Sequence, residues 1–299
     1  MRRLLAVLCV LGLSACAQIA DDPAGLRVVF EDQDAGRLAV CGLSGRDLQY
    51  LTPDSLVSSG PTTDSSRRTV YFMARPRSQP EALQAVYAVD VQGAGLRQVA
   101  EIPLSVQDFQ ITPDGATLLF VGRYPDQEHT RAYQMRVGES GFQAVTPETK
   151  SVCDPAMAPG GLNFVWNDGS HSDTLFVSSL QYYLTLPIFV FPYTQVSIAW
   201  PDGRAFAAVC GPRRRGLCYM QLATPEGAEA RKETVLIPET PEVAISQPAF
   251  HPDGVRILFV EAEEGGTRSS RICVIDRNSL KISRIPLDCE HPVHPAWVH

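Results

Sequence analysis

The chain has 299 residues, which is enough for one large domain or two average ones. Its formal net charge of −7, from 26 basic and 33 acidic side chains, excludes a general nucleic-acid binder, because such a protein needs a basic excess to neutralise phosphates. With 44% hydrophobic and 20% charged residues, the composition is that of a folded protein with a substantial core and not of a disordered chain.

The N-terminus predicts export. Arg2 and Arg3 precede ten apolar residues, Leu4 to Leu13, which match the charged region and short hydrophobic core of a signal peptide. A run of that length is too short to cross a bilayer, which takes about 20 residues in a helix. The next residues, Leu13-Ser14-Ala15-Cys16, resemble the bacterial lipobox, in which small residues precede a cysteine that is lipidated and becomes the mature N-terminus. An ordinary cleaved signal with a chance cysteine is the alternative interpretation.

These features predict a signal peptide over residues 1–15, a lipid on Cys16 and a tether over residues 16–22. Ala17 after the cysteine, in place of Asp, resembles the pattern that sorts lipoproteins to the outer membrane in enteric-type bacteria. We therefore expect a lipid-anchored protein of the bacterial cell envelope, on the periplasmic or surface face of the outer membrane. The longest internal apolar run, Leu184 to Phe191, has eight residues and contains Pro187, so it does not predict a membrane span.

A repeat organises the rest of the chain. Pro-Asp-Gly occurs at residues 113–115, 201–203 and 252–254, and related triplets begin at 23, 65 and 159. The six starts are 42, 48, 46, 42 and 51 residues apart. Each start is followed by a β-branched or aromatic segment, as expected of a buried strand after a turn. The six segments are Val28–Phe30, Val70–Phe72, Leu118–Phe120, Phe164–Trp166, Phe206–Ala208 and Ile257–Phe259.

Further strands flank each of these segments. Hairpins with small-residue turns follow, for example over residues 38–51, 85–99 and 272–285. A short strand precedes most starts, but the polar residues 17–22 before the first start lack one. The closing segment His294-Pro295-Ala296-Trp297 matches Gln247-Pro248-Ala249-Phe250 and supplies the missing strand. The sequence therefore predicts an all-β fold, a six-bladed β-propeller of four-stranded blades in which the C-terminal strand joins the first blade and closes the ring.

The Pro-Asp-Gly turn, the strand ending in Phe and the small-residue hairpin together resemble the TolB-type, WD40-like propeller repeat. The resemblance covers residues 23–299. It does not extend to the N-terminal α/β domain of TolB or to the α/β-hydrolase domain of propeller-containing prolyl peptidases. It implies a propeller that binds protein partners, and it implies no particular reaction.

The cysteines raise the possibility of disulfides. Six cysteines follow Cys16, and export places them in an oxidising compartment, but six cysteines allow fifteen pairings. Cys210 and Cys218 stand out because they flank a predicted hairpin tip, Gly211 to Leu217, where opposed cysteines can pair. Buried free thiols are the alternative. The sequence contains no Cys-x-x-Cys motif, which argues against a redox or zinc-ribbon site.

Motifs that indicate an enzyme are missing from the sequence, which contains no G-x-S-x-G, no H-E-x-x-H and no phosphate loop. His291, His294 and His299 gather in the closing segment, with His251 at the equivalent place of another repeat, so a metal site near the channel is one interpretation. Turn and strand-entry roles are the other, and the three-residue spacing of His291 and His294 puts them on opposite faces of a strand. Residues 32–36 resemble a fragment of a calcium loop without its third carboxylate, which favours a solvated turn. We predict no catalytic residue, no metal and no cofactor.

Two segments are candidate partner-binding surfaces. The fourth repeat concentrates aromatic side chains, which are enriched at interfaces and also fill the cores between blades. These are Tyr182, Tyr183, Phe189, Phe191 and Tyr193. A triple arginine concentrates positive charge on an acidic protein, which suits an acidic partner or anionic headgroups, or is simply a solvated hairpin tip. These are Arg213, Arg214 and Arg215.

The sequence thus predicts a monomeric, lipid-anchored envelope propeller that binds or scaffolds other envelope proteins and binds no nucleic acid. The alternative is an enzyme, or a binder of a small molecule such as a sugar or a metal, that uses the central channel. The first function predicts an exposed aromatic or charged patch and a channel without convergent titratable groups. The alternative predicts three or more His, Asp or Glu side chains that meet in the channel.

Overall fold

The structure is a computed structural model that describes residues 25–169, 174–190, 194–198, 205–211, 215–221, 232–263 and 269–299. The described residues form 24 β-strands and no helix. Several residues with predicted roles lie outside the described residues, together with the predicted signal peptide and tether. These are Cys16, Phe191, Tyr193, Arg213 and Arg214.

The strands form six four-stranded antiparallel sheets, which are the blades of a propeller. Blade 1 contains β1 (Arg27–Asp32), β2 (Arg37–Gly42) and β3 (Gln49–Tyr50). Blade 2 contains β4 (Leu56–Thr63), β5 (Thr69–Pro76), β6 (Ala85–Asp90) and β7 (Arg97–Glu101). Blade 3 contains β8 (Ser105–Ile111), β9 (Thr117–Arg123), β10 (Arg131–Arg136) and β11 (Phe142–Ala144).

The second half of the ring repeats this arrangement. Blade 4 contains β12 (Val152–Met157), β13 (Asn163–Asp168), β14 (Thr174–Ser179) and β15 (Thr185–Val190). Blade 5 contains β16 (Thr194–Ile198), β17 (Ala205–Cys210), β18 (Gly216–Gln221) and β19 (Lys232–Ile237). Blade 6 contains β20 (Val243–Phe250), β21 (Arg256–Glu263), β22 (Ser270–Asp276) and β23 (Ile282–Arg284). The last strand, β24 (Pro292–Val298), returns to blade 1.

The ring is closed by β24. This strand pairs antiparallel with β1, from Arg27 opposite Val298 to Asp32 opposite Pro292. It is the inner strand of blade 1, and each inner strand contacts the inner strand of the next blade (β24, β4, β8, β12, β16 and β20). The predicted six-bladed propeller and its closure by the C-terminal strand are therefore confirmed.

The hydrophobic core is divided among the six seams between neighbouring blades, and each seam holds a cluster of buried apolar side chains. An aromatic residue of each repeated segment lies in these clusters, and Phe30, Phe72 and Phe120 are fully buried. At the seam between blades 6 and 1, Leu258 and Ile272 share a cluster with Phe30 and Trp297. The closing strand thus contributes to the core as well as to the sheet.

The Pro-Asp-Gly triplets at 113–115 and 252–254 form the turn after the inner strand, as the repeat predicts, and the triplet at 201–203 lies outside the described residues. Asp114 Oδ1 accepts a hydrogen bond from the Ala116 N–H at 3.0 Å, and Asp253 Oδ1 accepts from the Val255 N–H at 2.7 Å. Gly115 and Gly254 have φ values of 71° and 66°, in the left-handed region that glycine adopts without a Cβ penalty. These aspartates stabilise their own turns.

Truncation of Trp297 tests the closing seam. The side chain is 4% exposed and its indole N–H donates to the Ala249 carbonyl at 3.0 Å. We expect Trp297→Ala to lower the free energy of unfolding by about 3–5 kcal/mol, because it leaves a cavity and an unpaired carbonyl in the seam. Urea denaturation measures the change. The control is Leu83→Ala at a 58% exposed side chain of blade 2, and equal destabilisation by the two variants would contradict the packing role.

Candidate functional site

The inner strands share an irregularity in the middle of the channel wall. Each of the six strands changes register against its neighbour at this point. The residues at the irregularity form what we call the channel ring, and they all line one cavity. They are Gly60, Asp108, Asp154, Gln195, Gln247 and His294.

The backbone of the channel ring is strained in most blades. Asp154, Gln195, Gln247 and His294 have φ values between 48° and 53°, in the left-handed region. A non-glycine residue there costs about 1–2 kcal/mol, so the surrounding structure must compensate. In blades 2, 4, 6 and 1 the next residue is a proline, which has no N–H that would be left without a partner at the bulge.

The compensation is a relay of hydrogen bonds from blade to blade. The Gln195 N–H donates to Asp154 Oδ2 at 3.4 Å, and the Gln247 N–H donates to Gln195 Oε1 at 2.6 Å. The His294 N–H donates to Gln247 Oε1, also at 2.6 Å. Each side chain therefore caps the amide of the following blade, and together these bonds hold the bulges of blades 4, 5, 6 and 1 in one arrangement.

The relay continues through a carboxylate–imidazole pair. His294 Nδ1 lies 2.9 Å from Glu31 Oε2 on β1, and the same oxygen accepts the Gly60 N–H of blade 2 at 3.1 Å. Gly60 has no side chain to offer to blade 3. There Asp108 Oδ1 instead accepts the Phe109 N–H of its own strand at 2.6 Å. Among the described residues, the Asp108 side chain therefore bonds only to the backbone of its own strand.

Titratable groups meet in the channel. Burial raises the pKa of Asp108 to about 7, and the neighbouring Asp154 carboxylate adds to the increase, while His294 and the Phe109 N–H oppose it. Burial alone would lower the pKa of His294, but the hydrogen bond and charge of Glu31, with the charge of Asp108, raise it above its ordinary value. Because the side chain of His294 is 45% accessible, its ring faces the channel.

The cavity above the ring has a volume of about 320 Å³ and is lined by all six inner strands. Its lining is mixed, with polar residues such as Thr63, Ser197 and Gln247, while the side chains of Phe109 and Trp297 are buried in the seams between blades. Turn residues that follow the inner strands, including Arg67 and Pro252, also line it, so the cavity opens on the face that carries the Pro-Asp-Gly turns. A second cavity of about 250 Å³, lined by Cys153, Asp108 and His294, also borders the ring.

Sequence reasoning missed the ring as a unit, although one signal for it was present. The match of His294-Pro295 to Gln247-Pro248 extends to Asp154-Pro155 and Gly60-Pro61, which places one residue before a proline in the inner strand of four blades. Asp108 and Gln195 precede Phe and Val instead, so the pattern is incomplete in blades 3 and 5.

The predicted aromatic segment is exposed where it is described. Tyr182 is 73% and Tyr183 53% exposed, in the turn between β14 and β15. Leu184 and Leu186 beside them are 53% and 49% exposed, and Leu162 of the adjacent turn is 55% exposed. We call these five residues the outer apolar patch. Phe189 lies in β15 opposite Leu175, and Phe191 and Tyr193 lie outside the described residues.

The outer apolar patch lies on the same face as the mouth of the channel. In an antiparallel blade, the turn after the first strand and the turn after the third strand lie at the same end. In blade 4 these two turns are joined by a hydrogen bond, which the Leu180 N–H donates to the Leu162 carbonyl at 2.8 Å. A groove of about 700 Å³ between blades 3 and 4 runs past Leu162, Leu180 and Gln181.

The remaining predicted residues have structural contacts. Arg215 is half-buried and donates to the Pro241 carbonyl at 3.1 Å, so it is not a freely solvated hairpin tip; Arg213 and Arg214 lie outside the described residues. Cys210 and Cys218 are joined by a disulfide across the hairpin of β17 and β18, with their Cα atoms 6.0 Å apart.

The histidines of the closing segment do not converge. His291 pairs with Asp34, His299 with the Arg67 guanidinium, and His251 lies edge-on to Trp297 with ring centroids 4.7 Å apart. Within the described residues no group of three or more His, Cys, Asp or Glu side chains is arranged to hold a metal ion. In the segment that resembles a calcium loop, Asp32 accepts the Asp34 N–H at 3.1 Å as an ordinary turn residue.

Comparisons with known proteins identify the fold. No protein-family model matches the chain and no curated protein matches it. Among solved structures, TolB from Acinetobacter baumannii superimposes with a TM-score of 0.72 at 15% identity, over 91% of this chain and 66% of that one. A TolB-type structure from Agrobacterium tumefaciens gives 0.61 at 11% identity, over 87% of this chain and 88% of that one. The chain folds as a TolB-like β-propeller.

Other functional classes share this fold. One chain of a nidogen/laminin complex matches the TolB-like propeller with a TM-score of 0.68 at 11% identity, over 92% of this chain and 99% of that one. An oligogalacturonate lyase in complex with manganese matches with 0.52 at 11% identity, over 86% and 71%. At such identities the likeness concerns the fold alone. In the part of the chain that the structure describes, no helix is long and apolar enough to span a membrane.

The two sequence-derived criteria for function are both met in part. The TolB-like propeller exposes an apolar, aromatic patch, as a partner-binding module should. Its channel is also lined by Asp108, Asp154 and His294, as the alternative requires. The patch and the channel are therefore two distinct candidate sites.

The titration of Asp108 gives a test of the ring. A carboxyl group with a higher pKa in the folded than in the unfolded protein binds more protons when folded, so the free energy of unfolding decreases as pH rises from about 4 to about 7. His294, whose pKa is also raised, acts in the same direction as pH rises through its folded pKa. We expect Asp108→Asn, which keeps an acceptor for the Phe109 N–H, to make this decrease smaller.

Urea denaturation at pH 5 and pH 8 measures the difference. The control is Asp126→Asn, an exposed carboxylate outside the channel for which the wild-type pH dependence should persist. If Asp108→Asn retained the full wild-type pH dependence, the raised pKa of Asp108 would be wrong.

Proposed function

We propose that this TolB-like propeller is a lipid-anchored protein of the bacterial envelope that binds a protein partner through the outer apolar patch. The observation that carries the proposal is the exposure of four large apolar side chains within five consecutive residues, Tyr182 to Leu186. Soluble monomeric proteins rarely expose such a cluster of apolar side chains unless the cluster binds a partner. The lipobox-like sequence that ends at Cys16 supports the anchor.

The outer apolar patch is held in one conformation. Ser179 Oγ accepts the N–H groups of Gln181 and Tyr182, both at 3.2 Å, and the Ser179 N–H donates to the Leu184 carbonyl at 3.0 Å. The Tyr183 hydroxyl accepts a hydrogen bond from Gln143 Nε2 at 2.5 Å, across the seam to blade 3. A rigid surface loses little conformational entropy on binding, which favours its use as an interface.

The chemistry of the outer apolar patch suits a protein. Tyrosine combines a large apolar ring with a hydroxyl and is among the residues most enriched at binding hot spots. The groove of about 700 Å³ beside the patch offers room for partner side chains. The nidogen/laminin complex is a protein complex that contains a similarly folded chain, which supports this class of ligand. An envelope protein bound here would make the propeller a scaffold at the membrane.

Substitution within the patch tests the partner proposal. We expect Tyr182→Asp combined with Leu186→Asp to reduce recovery of the partner at least about tenfold, because loss of a hot-spot contact costs more than 1 kcal/mol. The measurement is quantitative mass spectrometry of proteins that co-purify with the tagged full chain from detergent-solubilised envelopes. Leu83→Asp, at an exposed leucine of blade 2, is the matched control. Recovery of the same proteins in the same amounts by all three would exclude the patch as the interface.

Replacement of the lipidated cysteine tests the anchor. We expect Cys16→Ser to move the protein from the membrane fraction to the soluble fraction of the envelope, because stable attachment of a protein without a membrane span depends on its acyl chains. Immunoblots of fractionated cells report the distribution. If the variant stayed in the membrane fraction as the wild type does, lipid anchoring would be wrong. That result would not affect the test of the outer apolar patch.

A further inference from the structure

The propeller begins on the same face as the outer apolar patch. The inner strands end at the face that carries the Pro-Asp-Gly turns, which we call the turn face. There the His299 N–H, just after β24, donates to the Arg67 carbonyl in the turn after β4 at 3.2 Å. Arg27, the first residue of β1, lies opposite Val298, the last residue of β24. Gly25, the first described residue, therefore lies at the turn face, where the channel also opens.

The proposed lipid anchor holds the turn face toward the membrane. Nine residues, 16–24, connect the anchor to Gly25, and a fully extended chain of that length spans at most about 32 Å. To present the opposite face to the bilayer, this segment would have to pass outward over β2 and β3 and then along the length of blade 1. Two strand spacings and the six residues of β1 amount to about 30 Å before side chains are counted. The opposite face is therefore accessible to the bilayer only at full extension of the segment.

The charge beside the outer apolar patch favours a protein over lipid as the surface that the patch contacts. The groove between blades 3 and 4 is lined by the carboxylates of Asp114 and Glu139 and by the guanidinium of Arg136, and its described lining contains no other charged side chain. Surfaces that dock on anionic bilayers instead carry an excess of lysine and arginine. The amides of Gln143 and Gln181 in the same lining offer hydrogen bonds that a protein surface can match and acyl chains cannot.

We propose that the propeller is held with its turn face toward the bilayer and that the partner of the outer apolar patch is a protein embedded in that membrane. This inference rests on the lipid anchor and the protein partner proposed above, and it adds where that partner is located. Attachment of both proteins to one membrane raises their effective concentration for each other without any new contact. A partner free in the aqueous compartment would gain nothing from the anchor.

Energy transfer to the membrane surface tests the orientation. Leu96 and Leu83 are exposed residues at opposite ends of blade 2, because Leu96 follows the third strand and Leu83 follows the second. The lipidated full chain, labelled with a donor dye at Leu96→Cys or Leu83→Cys, is reconstituted into vesicles that carry an acceptor dye on lipid headgroups. We expect the Leu96 label to lie about 20 Å closer to the headgroups, which is the length of a six-residue strand. The wild type, treated with the same dye, gives the background from its own cysteines.

A longer connection to the lipid provides the control for the orientation. Insertion of about 30 Gly and Ser residues between residues 22 and 23 extends the reach to about 130 Å, so the difference between the two labels should disappear. Equal transfer from both labels at the natural length, or stronger transfer from Leu83, would overturn the orientation. A difference that persists after the insertion would also overturn it, because the length of the connection would then not be its cause.

Photo-crosslinking in intact cells tests the class of partner. A photoreactive phenylalanine analogue at Leu162, in the outer apolar patch, should crosslink to a protein that carries membrane-spanning segments, and the same analogue at Leu83 should not. Tyr182→Asp combined with Leu186→Asp should lower the yield at least about tenfold, because loss of a hot-spot contact costs more than 1 kcal/mol. Crosslinks confined to soluble proteins would overturn the inference and leave the patch as an interface.

Vesicle binding separates a protein partner from lipid. The Cys16→Ser chain, which lacks the anchor, should not sediment with protein-free vesicles of phosphatidylethanolamine and phosphatidylglycerol. If it did sediment, and Tyr182→Asp combined with Leu186→Asp abolished the binding, the ligand of the patch would be lipid and the inference would be wrong. Failure of the anchor is recognised separately, by membrane retention of Cys16→Ser in cells.

Discussion

The antiparallel pairing of β24 with β1 is the interaction on which the rest of the molecule depends. It joins strands that are separated by nearly the whole described chain, and it makes the seam between blades 6 and 1 equivalent to the other five. Without it, β1 would be an open edge and Trp297 would leave the cluster that it shares with Phe30. The same pairing brings His294 to Glu31 and thus completes the hydrogen-bond relay of the channel. The strand pairing that closes the propeller therefore also completes the hydrogen bonds of the channel ring.

The relay shows how a propeller tolerates strain at its centre. Four consecutive blades hold a polar residue in the left-handed region, and in blades 5, 6 and 1 the N–H of that residue donates to the ring side chain of the preceding blade. A change at Gln247, for example, affects the bulges of both blade 6 and blade 1. Asp108 stands outside this mutual support, because its carboxylate accepts the Phe109 N–H of its own strand.

The fold was predictable from the sequence because its signals are local and repeated. Pro-Asp-Gly or a related triplet, followed by an aromatic strand, recurs in each repeat, and the match between the segments at 247 and 294 revealed the closure. The channel ring was not predictable in the same way, because its bonds join residues about 40 to 50 positions apart through bulges that shift the strand register. The sequence left open whether the aromatic segment of blade 4 is exposed or buried, because an outer strand and a strand that fills a seam have similar compositions. The exposure of Tyr182 depends on the turn after β14, in which the Tyr182 N–H donates to Ser179 Oγ.

The position of His294 in the last strand has a consequence for biogenesis. During synthesis, each of blades 2 to 6 emerges with all four of its own strands, but β1 waits for β24 until the last blade has been made. Only then does the imidazole meet Glu31 and the channel acquire its full set of polar groups. A chain that is cut short by proteolysis or premature termination would thus lack both the closed seam and the complete channel ring.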